Sequence, residues 1–142
     1  DIPACLVLMS IVKDAERVGD YCKNIFDLAP FACPGVEKDT LRDDFQDLGA
    51  QIELMLAMTR KSFARSDVKE ARDVREKNRK VAAKCNQLLQ KVFENDMPQR
   101  LSVTYALLSR YFKRVARHLA NIAMSVIVPL DQLDFYELDE EE

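Results

Sequence analysis

Tryptophan is absent from this 142-residue chain, and glycine (3), proline (5) and histidine (1) are scarce. So little Gly and Pro leaves few places for tight turns, and the composition favours long helices joined by short links. The single His118 and four cysteines without a Cys-x-x-Cys pair (Cys5, Cys22, Cys33, Cys85) argue against a zinc site of the usual Cys/His kind. A di-metal oxidase in a helical bundle takes Glu-x-x-His pairs from facing helices, and here Ala116-Arg117 precede the lone His118. With no nucleophile–base pair and no Gly-rich phosphate loop, an enzyme is not the expected reading. No charge-free apolar run of about 18 residues occurs, so nothing reads as a bilayer span. There is no secretory signal. The chain opens at Asp1-Ile2-Pro3 without Met, and a fragment of a longer protein or a processed start is expected. Cysteines in apolar helical registers are expected to be mostly buried and reduced, which places the protein in the cytosol.

What is present suits one domain with a real core: 48% apolar and 32% charged residues. The net charge of −3 is unevenly placed. Residues 131–142 hold seven acidic side chains (Asp131, Asp134, Glu137, Asp139, Glu140, Glu141, Glu142) and no basic one; without them the remainder carries +4. Such a tail is expected to be disordered, with folding back on the basic body as the alternative.

Hydrophobic spacing predicts four helices. The first runs from about Pro3 to Leu28, capped by Asp1, and its apolar residues cover so much of its circumference that it should be central. Ala29-Pro30-Phe31-Ala32-Cys33-Pro34-Gly35 breaks it. The second runs from about Glu37 to Ala64, with Leu41, Phe45, Leu48, Ile52 and Met55 as a seam. Ser66-Asp67 ends it and caps the third, from about Val68 to Asn95, whose seam is Ala71, Val74, Asn78, Val81, Cys85, Leu88 and Val92. Asn95-Asp96-Met97-Pro98 turns the chain into the fourth, from about Pro98 to Ile127. Its seam is Leu101, Tyr105, Leu108, Phe112, Val115, Leu119, Ile122 and Val126. The expected fold is all-α, an antiparallel up-down bundle of four long helices.

Two features carry chemistry. In the first helix, Glu16 and Asp20 are four apart, so their carboxylates lie one turn apart on one face, with Asn24 a turn further on. Gly19 between them costs roughly 1 kcal/mol against Ala, and suggests close approach of another group. That pattern suits a hard cation; it equally suits a solvated face with Lys13 and Arg17 as partners. In the fourth helix no acidic residue occurs from Leu101 to Leu130, and Arg110, Lys113, Arg114 and Arg117 form a basic stripe. The stripe suits phosphate, an acidic partner face or anionic lipid, or else a solvated or internally paired face. Nucleic acid is disfavoured, because no aromatics interleave with the charge and the pI is about 5.3. His118 reads as a packed or solvent-edge residue.

The chain also repeats itself. Asp1-Ile2-Pro3-Ala4-Cys5-Leu6 resembles Asp96-Met97-Pro98-Gln99-Arg100-Leu101. Glu16-Arg17-Val18-Gly19-Asp20 with Asn24-Ile25 resembles Lys113-Arg114-Val115-Ala116-Arg117 with Asn121-Ile122. The first and fourth helices therefore look equivalent. This layout, with Glu16-Arg17-Val18-Gly19-Asp20-Tyr21-Cys22-Lys23-Asn24-Ile25, resembles the PhoU family of phosphate-uptake regulators over residues 1–130. Members of that family are two tandem three-helix bundles whose third helices carry a Glu/Asp-x-x-x-Asp motif, typically followed by Asn-Ile. The resemblance implies that 1–29 is the last helix of a first repeat, 37–130 a complete second repeat, and 131–142 a tail.

It further implies a cytosolic, non-enzymatic regulator of phosphate transport and phosphate-starvation signalling that contacts a transporter ATPase and a sensor kinase. Related domains also form cytosolic parts of sodium/phosphate cotransporters. Some members bind iron or zinc clusters through the motif carboxylates, which makes Glu16 and Asp20 the candidate ligands for iron, zinc or another divalent metal. Lys113 and Arg117 replace the second motif's carboxylates, and Lys77 and Ala82 stand where acidic residues are expected, so a cluster there is opposed by plain electrostatics. The apolar surface of the first helix must be buried on the other helices or on a second chain, so a homodimer is expected.

Overall fold

The computed structural model describes residues 2–32 and 39–127. It contains four long helices, α1 (Ile2–Asp27), α2 (Arg42–Arg65), α3 (Val68–Glu94) and α4 (Gln99–Met124), with a 3-10 turn at Ala29–Phe31 after α1. No strand occurs among the described residues. The expected cap at Asp1 and the expected start of α2 near Glu37 fall outside those residues. So does the tail 131–142.

The links follow from local chemistry. Ser66 takes the left-handed conformation (φ 51°) and closes α2, its N–H reaching the carbonyls of Phe63 and Ser62. Asp67 then caps α3, its Oδ1 accepting from the Glu70 N–H at 3.0 Å. At the other end of α3 the Asn95 side chain donates to the Lys91 carbonyl at 2.6 Å. Pro98 opens α4 without a side-chain cap, and its carbonyl accepts from Leu101 and Ser102.

The core lies between α2, α3 and α4. The predicted seams of α2 and α3 are buried throughout, with Met55, Ala71, Val74 and Leu88 at 0% exposure. Burying each large aliphatic contributes about 1.5–3 kcal/mol. Phe45 stacks on Tyr105 with centroids 4.2 Å apart, and the Tyr105 hydroxyl donates to Asp39 at 2.6 Å. Burial, reinforced by that carboxylate, pushes the phenol well above its ordinary pKa. On α4 the buried set includes small residues outside its heptad: Thr104, Ser109, Ala116, Ala120 and Ala123. Leu108 and Phe112 are only partly buried.

The helix at the centre is α4, not α1. Among the described helices α4 packs against the other three, whereas α1 packs only against α4. Asp14 is the one buried residue of α1, and Ile2, Leu6, Leu8, Met9, Val12 and Phe26 are at least 52% exposed. High apolar content all round did not decide the placement. Among the described residues of α1, the stripe of Asp14, Val18, Tyr21 and Ile25 carries its packing on the core.

α1 and α4 are both 26 residues long and start 97 positions apart, at Ile2 and Gln99. They run antiparallel, since Asp14 meets His118 while Tyr21 meets Tyr111. An offset of 97 carries Asp14 to Tyr111 and Tyr21 to His118. The two contacts thus occupy one pair of positions seen from either helix, and the seam has local two-fold character.

Candidate functional site at the α1–α4 seam

Glu16 and Asp20 lie on the exposed surface of α1. Asp20 is 3.9 Å from Arg17, with side chains 57% and 62% exposed, a pairing worth little in water. Among the described residues no group of three His, Cys, Asp or Glu forms a metal cage. A hard cation takes roughly six oxygen ligands, and two solvent-facing carboxylates beside a guanidinium supply only part of that set. The close approach expected at Gly19 is not found: nothing among the described residues comes within 4 Å of where its Cβ would stand.

What the seam does contain is a polar cluster around Asp14. Its Oδ1 lies 2.8 Å from His118 Nδ1 and accepts from Asn121 Nδ2 at 3.2 Å. Tyr21 stacks on the His118 ring at 6.0 Å and meets Tyr111 at 6.0 Å. Asp14 is 8% exposed, so its carboxylate sits where water cannot replace both partners freely. His118 is therefore an orienting partner at a helix interface rather than an isolated packed ring. Asp14 was not singled out from sequence. The available signal was a carboxylate at the same heptad position as Val7 and Tyr21, on the stripe that Val18 and Ile25 continue.

The basic stripe is accessible at Arg110 and Lys113, while Arg114 and Arg117 are half-buried. Lys113 reaches across to α3 and donates to Asn86 Oδ1 at 3.2 Å. Cys85 beside it is buried at 1% exposure; burial pushes its thiol up to about 12, with Lys113 pulling weakly the other way. That leaves no thiolate for chemistry near neutral pH. Cys5 and Cys22, by contrast, are exposed, against the expectation of mostly buried cysteines, because α1 turns its apolar face to solvent. Cys33 falls outside the described residues. Lys77, read as an anomaly, donates to Gln51 at 2.6 Å and serves the α2–α3 packing.

Among known families, the PhoU domain matches residues 45–126, more than half of the chain. The matched span holds most of α2 and all of α3 and α4; α1 precedes it. No curated protein and no solved structure matches.

Proposed function

The chain belongs to the PhoU domain family, and from that premise we propose that it is a non-enzymatic regulator of phosphate transport and phosphate-starvation signalling, acting in the cytoplasm through protein–protein contacts. The observation that carries the reading is the apolar face of α1, with Leu8 52%, Met9 69%, Val12 61% and Phe26 77% exposed beside a well-packed α2–α3–α4 core. A contiguous apolar face of this kind marks an interaction surface. In this reading α1 is the last helix of a preceding three-helix unit, and 37–130 is a complete second unit. The contacts are with the ATPase of a membrane phosphate transporter or a sensor kinase, and a second copy of the chain pairs with it as a homodimer. No described helix is long and apolar enough to cross a membrane.

Glu16 and Asp20 enter as metal ligands only if other helices complete the set. Elemental analysis after loading with iron, zinc, manganese or magnesium, repeated on Asp20→Ala, tests that part. Stoichiometric metal lost in the variant supports it, and no metal in either protein rejects it.

The regulatory reading is tested in cells whose own PhoU-domain protein has been deleted. The chain, and a Leu8→Asp/Val12→Asp variant, are expressed under phosphate limitation while phosphate uptake and a starvation-responsive reporter are followed. Restored control by the native chain, lost in the variant, is the expected result; a reporter indifferent to both overturns the reading. A second reading, a metal-free interaction module that binds anions through Arg110, Lys113, Arg114 and Arg117 or serves a sodium/phosphate cotransporter, is favoured by the solvent-facing motif carboxylates and the exposed cations.

A further inference from the structure

Two seams run along α1. One is the stripe of Asp14, Val18, Tyr21 and Ile25 that packs on the core. The other is Cys5, Leu8, Val12, Ala15, Gly19, Cys22 and Phe26, which repeats at 3-4-3-4-3-4 and is exposed at every position. A seam of that period is buried lengthwise against another helix. Among the described helices only α4 packs against α1, so none covers this second seam.

The order of large and small residues along the seam says what fits it. Laid antiparallel on itself, with positions that sum to 27 set opposite each other, it puts Leu8 against Gly19 and Val12 against Ala15. Each branched side chain then meets a residue small enough to receive it, and Cys5 meets Cys22. The open space at Gly19, where nothing among the described residues comes within 4 Å of an added Cβ, is where Leu8 of a second copy is received. A slip of one heptad, to positions that sum to 34, sets Ala15 against Gly19 and Leu8 against Phe26, hollow in the middle and crowded at the ends. A parallel pair sets each residue against itself, Gly19 on Gly19.

Charge agrees with shape. In the register that sums to 27, Glu16 lies level with position 11 of the facing helix, two residues or about 3 Å from Lys13. Symmetry makes this contact twice, so Lys13 and Glu16, both exposed, alternate around the two-fold axis. We propose that α1 pairs with the α1 of a second copy in this antiparallel register, each helix still docked on its own α4. The proposal rests on the reading of the α1 face as an interaction surface, and names what occupies it.

The seam cysteines supply the test. The full chain is prepared with Cys33→Ser and treated with a short bis-maleimide; Cys85 is buried. Cys5 and Cys22 are 17 residues apart, about 26 Å along one helix, so a short linker cannot join them within a chain. Neither Cys5→Ser nor Cys22→Ser should give a cross-linked dimer alone, and an equimolar mixture of the two should. A single variant that cross-links alone, as a parallel pair would, overturns the proposal, and so does a mixture that gives no dimer. Lys13→Glu should weaken the dimer about tenfold in sedimentation equilibrium, since it reverses two exposed pairs, and Lys13→Glu/Glu16→Lys should restore it. Failure of that rescue overturns the register. A strict monomer at high concentration overturns the pairing and gives the face to another protein; control of phosphate uptake retained in cells would then leave the regulatory reading standing.

Discussion

Replacing Asp14 by alanine removes the carboxylate that joins α1 to α4. Two hydrogen bonds go with it, at 2.8 Å to His118 and 3.2 Å to Asn121. Bonds to a charged acceptor contribute about 1.5–3 kcal/mol each, but the exposed edge of this seam lets water take over part of that. The side chains of Asp14 and His118 are 12% and 18% exposed. The change also removes the buried charge itself, so no unpaired ion is left behind. A net loss of about 1.5–3 kcal/mol is therefore expected.

Where that loss appears is the sharper claim. α1 packs only on α4, so the perturbation should loosen its docking and leave the three-helix core closed. Native-state amide exchange reads this directly. Amides of α1 should exchange about tenfold to a hundredfold faster, since 1.4 kcal/mol is a factor of ten. Amides around Val81 and Leu88 should change little. His118→Ala should produce the same pattern, and the double variant should lose less than the sum of the two. Asp20→Ala is the control, because its 3.9 Å pair with Arg17 is solvated. Equal acceleration in α1 and α3, or an effect no larger than the control's, would refute a latch at Asp14.

Gly19→Ala should stabilise the chain by about 0.5–1 kcal/mol, since Ala is the better helix former and nothing lies within 4 Å of the new methyl; a lowered thermal midpoint would show a hidden neighbour. Asn78→Leu should raise urea stability by about 1 kcal/mol, because the seam buries Asn78 to 8% exposure with its Oδ1 unpaired; destabilisation would mean that this amide is satisfied after all. Asp44 has its pKa lowered, chiefly by the Lys84 hydrogen bond and then by Lys91, against its own desolvation. The unfolded chain takes up that proton first as pH falls, so the stabilisation is complete above the unfolded carboxylate value of about 3.9 and is lost on descending through the folded one. Asp44→Asn should thus cost about 0.5–1 kcal/mol near neutral pH, and the gap to the native chain should close in acid; a constant gap from pH 7 to about 3 would refute the ionic account.

The seams of α2 and α3 were legible because a 3.5-residue period has one physical solution, a lengthwise groove between neighbouring helices. α4 was half legible. Its heptad gave Leu101, Tyr105, Val115 and Leu119, but a helix flanked by three others also buries its sides, and there the small Ala116, Ala120 and Ala123 are fully buried. Periodicity of large residues is blind to that. α1 was legible as a helix and misread as the centre, since apolar content reports a need for burial and not which element meets it. The carboxylate pair Glu16 and Asp20 could be read from spacing, whereas Asp14 could not: its role depends on His118 and Asn121, more than a hundred positions away.

The repeat relation gives the exposed face of α1 a meaning that exposure alone does not. On α4, which packs against α1, α2 and α3, Tyr105, Ser109, Ala116, Leu119 and Ala123 are buried. The offset of 97 carries them to Leu8, Val12, Gly19, Cys22 and Phe26, all of which face open solvent on α1. A helix evolved for water has no use for that set, and the empty space beside Gly19 stands where Ala116 on α4 has a neighbour. The same offset carries Lys113 to Glu16 and Arg117 to Asp20, so the flank that is cationic on α4 is anionic on α1. Two helices packed by one two-fold scheme thus present opposite charge at equivalent positions. A helix seated on α1 as α3 is on α4 would meet carboxylates where α3 meets Lys113. The sign reversal thus leaves the two helices with one packing scheme and opposite charge on their corresponding flanks.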